Sequence, residues 1–180
     1  MIRTLVLLAA VYLALVAQEF IPPASFFDGA RIILVPSLFC YGALWLPFPG
    51  MLVFALYTGL LSDLAFLHIV GDRVEIGLGW TMLFYVLAGT ALHSFRPLFL
   101  AGRWEIHCLA STAVTALLLL SQFLMVCLRR ETFSFDKTIL WQILGPALVA
   151  FFLAPILYFI FRFLPRGFAE GPPSKKRLTS

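Results

Sequence analysis

Charge is what this chain has least of. Among its 180 residues 13 are Lys or Arg and 9 are Asp or Glu, together 12%, where a soluble domain carries roughly 25%. Residues 32–71 hold one formal charge, that of Asp63. So little charge excludes a water-soluble globule. A hydrophobic content of 62% and a mean hydropathy of +0.98 make the chain an integral membrane protein. No polar stretch is long enough to build a second domain.

Cysteine is scarce too. Cys40, Cys108 and Cys127 are odd in number and sit in apolar runs, which excludes a disulfide or metal framework and reads as small buried apolar residues. Also missing are a glycine-rich phosphate loop, a His-Glu-x-x-His pair and a Gly-x-Ser-x-Gly elbow. His68, His93 and His107 fall near the ends of apolar runs, and no Ser and His pair stands at membrane depth as an intramembrane protease would need. The expectation is therefore no catalytic residue, no cofactor and no metal. The net charge of +4 needs no nucleic acid to explain it. It fits the basic tail around Lys175, Lys176 and Arg177 lying against anionic headgroups of membrane lipid.

What the chain does have is long apolar runs. A hydrocarbon core about 30 Å thick takes roughly 20 helical residues per crossing. Bounded by charge or by Pro and Gly, six spans are expected over residues 5–21, 32–46, 51–70, 77–93, 106–128 and 138–164. Leu46-Pro-Phe-Pro-Gly50 reads as the turn between the second and third. Pro36 makes the second span short, while Gly145, Pro146 and Pro155 mark kink sites in the sixth. The reading is an all-α membrane protein, with a six-helix transmembrane domain over 1–168 and a basic, disordered cytoplasmic tail over 169–180.

An even number of spans puts both termini on one side. That side carries Arg3, Arg96, Arg103, Arg162, Arg166, Lys175, Lys176 and Arg177, against Arg31, Arg73, Arg129, Arg130 and Lys137 opposite. Cations concentrate in the cytoplasm, so both termini are expected there. Trp45, Trp80, Trp104 and Trp141 lie near span ends, as interfacial anchors do. An export signal is the weaker reading of the N-terminus, since Leu15 and Ala17 make a poor cleavage site.

Asp63 is the leading candidate for function. At helical spacing Ala55, Gly59, Ser62 and Asp63 form one small and polar stripe. Small residues admit a second backbone and turn the acid away from lipid. One reading is a packing seam whose acid is hydrogen-bonded by a neighbouring helix; the other is a functional acid. A buried acid costs a few kcal/mol unless it is paired or protonated, so a partner is required. Asp63 lies about 18 Å beyond Met51 along a helix, which makes Arg31 and Arg73 the nearer cations. Further small-residue faces occur at Ala147, Ala150 and Ala154, and at Ala110, Ala113 and Ala116.

The order of these features resembles the bacterial rod shape-determining MreD family. The shared elements are a basic N-terminus, a first span ending near Pro22-Pro23, a charged loop with Asp28 and Arg31, a Pro-containing turn, Gly59-Leu-Leu-Ser-Asp63 and Gly77-Leu-Gly79. The chain departs from the family pattern after Asp63, where Phe66-Leu-His68 precedes Gly71, and in its tail after Phe168. The resemblance implies a non-enzymatic component of the cell-elongation complex in the bacterial inner membrane. It would dock MreC and work with MreB, RodA and a penicillin-binding transpeptidase in peptidoglycan synthesis, with Ala55, Gly59, Ser62 and Asp63 binding the partner or holding the bundle. It also implies a six-helix bundle similar to the substrate-binding components of energy-coupling-factor transporters. The alternative function is therefore micronutrient transport, with an outer cavity lined by groups such as Trp80, Tyr85 and Asp63 and an alanine face at Ala10, Ala14 and Ala17.

Overall fold

A computed structural model of the protein describes residues 2–22, 32–65, 69–70, 73–74, 79–96, 104–130 and 137–163. Six α-helices account for nearly all of them. These are α1 (Ile2–Phe20), α2 (Val35–Trp45), α3 (Phe48–Ala65), α4 (Trp80–Ser94), α5 (Trp104–Arg130) and α6 (Lys137–Phe163). Between α3 and α4 lies a two-stranded antiparallel ribbon, β1 (Ile69–Val70) and β2 (Arg73–Val74), with Ile69 opposite Val74 and Val70 opposite Arg73. Three of the helices, α3, α5 and α6, are long and apolar enough to cross a membrane.

Two expected spans are corrected. The second begins at Val35 rather than residue 32, because Pro36 has no amide to donate and fits only the first turn of a helix. The third runs over Phe48–Ala65 rather than 51–70. Pro49 and Gly50 belong to its first turn, where amides lack intrahelical acceptors and proline costs nothing. The turn is thus confined to Leu46 and Pro47, and the Met51 amide already donates to the Pro47 carbonyl at 2.9 Å. At the far end Ile69 and Val70 leave the helix for the ribbon. Both α5 and α6 run 27 residues, and α6 is unbroken through Pro146 and Pro155.

The shortest helix stands at the centre. With 11 residues α2 is about 16 Å long, half the thickness of a hydrocarbon core. It touches each of the other five helices, and nine of its residues are buried. The broadest contacts are α3 with α4 and α5 with α6, the pairs joined by the loops that follow Asp63 and Arg130. Phe39 of α2 stacks on Phe54 of α3 with ring centroids 5.7 Å apart, and meets Tyr85 of α4 at 4.6 Å. These rings, with Met51, Leu44 and Val11, form the core.

The outside is as apolar as the inside. Leu13, Leu87, Leu109 and Phe152 are all more than half exposed, a surface that water would not tolerate and lipid covers. Several hydroxyls are satisfied within their own helix: Thr58 donates to the Phe54 carbonyl at 2.7 Å and Thr112 to that of Cys108 at 2.8 Å. Cys40, Cys108 and Cys127 are free thiols. Arg31, His68, Gly77, the side chain of Arg73 and the tail over 169–180 lie outside the described residues.

Candidate functional site at the start of α4

The stripe on α3 is buried inside the chain. Ala55 is fully covered, and Gly59, Ser62 and Asp63 are buried with it. Gly59 is where α3 and α4 come closest: a Cβ built there would run into the backbone of Met82, overlapping its Cα and lying 2.7 Å from its nitrogen. Only a residue without a side chain permits that approach. A glycine here therefore sets the distance between the two helices, and with it the depth at which Asp63 meets α4.

Asp63 is used as a helix cap. Gly79 donates its amide to Oδ2 at 2.7 Å, and Thr81 donates to Oδ1 at 3.3 Å. The first amides of a helix have no partner within it, and the macrodipole there favours negative charge. Gly79 takes φ of 101°, a conformation open to glycine, and this bend turns the amides toward α3. The carboxylate thereby receives the partner that burial in a bilayer demands. Beside it the Ser62 hydroxyl pairs with the phenol of Tyr85, a side chain 1% exposed. Tyr85 in turn rests against Phe39 and Phe84. Asp63, Ser62 and Tyr85 are thus all buried together.

A second cap, which the sequence reading did not pick out, repeats this arrangement. Gln18 of α1 is buried, and its Oε1 accepts the amides of Leu34 and Val35 at the start of α2, the latter at 3.0 Å. Gln18 to Leu34 and Asp63 to Gly79 each span 16 residues. A small residue stands four positions before each cap, Ala14 before Gln18 and Gly59 before Asp63. The signal was present as a polar side chain ending an apolar run, followed by a helix opening with proline or glycine. Gln18 carries no charge and so escaped notice.

Further polar contacts join the helices. Ser111 of α5 donates to the Ser37 hydroxyl of α2 at 2.8 Å, both buried. His107 is buried against Tyr158 of α6, with ring centroids 5.2 Å apart. His93 lies against Phe48. Among the described residues no three His, Cys, Asp or Glu side chains gather as a metal site would require. Comparison with models of protein families, with curated proteins and with solved structures yields no match to this chain.

Proposed function

We propose that the protein is a non-catalytic membrane scaffold, and that its role is the one its sequence resemblance implies. It is a component of the bacterial rod complex that receives MreC in the inner membrane and supports peptidoglycan synthases, with both termini cytoplasmic. The observation that carries the non-catalytic part is the use of Asp63. The one acid in the long apolar run has both oxygens committed to backbone amides of α4 and its flank closed by Ser62 and Tyr85. An acid whose oxygens accept the first amides of a neighbouring helix serves to join the helix pair, which supports a structural role over a catalytic one. The stripe Ala55, Gly59, Ser62 and Asp63 acts by holding α3 against α4 and so shapes the faces offered to partners.

Six spans of an energy-coupling-factor type would place α1, α2 and α4 in the bilayer beside the three long helices. Membrane transport by such a bundle calls for a ligand-sized space near Trp80, Tyr85 and Asp63. Among the described residues Tyr85 is 1% and Asp63 7% exposed, which favours the scaffold over the transporter. The test is co-purification of the tagged full-length protein with MreC from the same membranes, together with rescue of rod shape in cells depleted of their own copy. Retention of MreC and restored rods are expected. Absence of both, from a variant-free protein that inserts and is stable, would sink the proposal.

A further inference from the structure

Where α4 and α5 diverge, the surface opens into a groove of about 560 Å³. Phe84, Ala88, Ala91 and Phe95 line it from α4, and Ile106 and Val114 from α5. Its walls are apolar, and it opens sideways to the surroundings of the bundle. The two alanines make the hollow: larger side chains at 88 and 91 would fill it.

The length of the groove identifies what fits. Phe84 to Phe95 is 11 residues of helix, about 16 Å. A hydrocarbon core of about 30 Å has two leaflets, so this is the depth of one leaflet. A helix from a partner or from a second copy would cross both leaflets and find a groove for half its length. A single acyl chain enters from one side and ends near mid-membrane, as the groove does.

The end of the groove supplies the headgroup chemistry. Arg96 follows Phe95 directly, and its Nε is shut off from solvent with no hydrogen-bond partner. One turn away the Nδ1 of His93 is likewise buried and unpartnered. A cation with an unpartnered donor one residue beyond the last α4 residue of an apolar groove suits a phosphate. We infer that the α4–α5 groove holds one acyl chain of an anionic phospholipid, from the leaflet on the side where α4 ends, with its phosphate met by Arg96. This rests on the chain lying in a membrane and not on the cell-shape role.

The full-length protein in detergent, incubated with phosphatidylglycerol or with phosphatidylcholine of the same acyl chains, tests it by native mass spectrometry of retained lipid. The expected preference for phosphatidylglycerol is roughly fivefold, as one arginine near an anionic headgroup gives, falling to about one in Arg96→Gln. Ala91→Phe should lose both lipids, and Ala91→Leu serves if the larger ring prevents folding, with helicity checked by circular dichroism. A preference that survives Arg96→Gln overturns the headgroup contact. Wild-type retention of both lipids by folded Ala91→Phe and Ala91→Leu overturns the groove. A changed oligomeric state with unchanged lipid retention would assign the groove to a second copy and also overturn it.

Discussion

The carboxylate of Asp63 and the amide of Gly79 stand 2.7 Å apart, joining the end of α3 to the start of α4 across a 16-residue connection. With Thr81 on its other oxygen, the acid serves two backbone donors that lipid could not satisfy. This is a structural use of charge, and it can be dissected by substitution.

Replacing Asp63 with Leu removes both acceptors and leaves two buried amides unpaired, for an expected loss of about 2 kcal/mol or more. Asp63→Asn keeps one carbonyl oxygen as acceptor and should lose about 1 kcal/mol. Reversible unfolding in mixed detergent micelles reads the difference. Equal losses would mean that the cap contributes nothing beyond the volume of the side chain.

The three glycines between helices should rank by what a methyl group meets. At Gly59 it meets the Met82 backbone, which cannot swing aside; at Gly89 it meets the Met51 sulfur at 2.6 Å, the flexible end of a side chain, and Phe39 at 3.1 Å. Gly59→Ala should cost about 3 kcal/mol and Gly89→Ala about 1 kcal/mol, the upper and lower ends of the range for overpacking. Gly42→Ala, which drives into the Phe54 ring stacked on Phe39, belongs between them. Thermal melts of the three variants give the order directly, and a mild Gly59→Ala would contradict the close approach.

Gln18→Leu should destabilise by about 1 to 2 kcal/mol, since the start of α2 loses its acceptor. Gln18→Glu retains the acceptor and removes the Nε2 donor, which is buried without a partner. It should therefore be the milder change. The same unfolding assay decides it; Leu and Glu variants of equal stability would show that Oε1 is dispensable.

Ser37 and Ser111 should couple. A double-mutant cycle of Ser37→Ala and Ser111→Ala is expected to give an interaction energy of about 0.6 kcal/mol, typical of hydrogen bonds between membrane helices. A coupling near zero would mean that the 2.8 Å contact adds nothing to the packing of α2 on α5.

Length and apolarity were enough to find the long helices. The expected 106–128 and 138–164 became α5 over Trp104–Arg130 and α6 over Lys137–Phe163, because charge marks where a helix leaves lipid. Prolines misled at the other boundaries. In Leu46-Pro-Phe-Pro-Gly50 both were read as breakers, whereas Pro49 sits in a first turn that has no use for its amide. Of the candidate site, the stripe from Ala55 to Asp63 was visible as spacing. Its partner was not: Arg31 and Arg73 were the cations within reach, and backbone amides leave no trace in side-chain identity. Gln18 and the central place of α2 were hidden for a related reason, since burial by five neighbours is a property of the assembled helices.

The two caps also bear on how the chain is made. Gln18 fastens α1 to α2, and Asp63 fastens α3 to α4, each with a residue already synthesised when its target emerges from the ribosome. Each pair then carries its own latch and can lock before the next pair exists. A nascent chain stalled after α2 should already hold α1 against α2, read by protection of the two helices from proteolysis, and Gln18→Leu should abolish that protection. The membrane would receive this protein as successive latched pairs, with the lone acid of the second closing one step of its biogenesis.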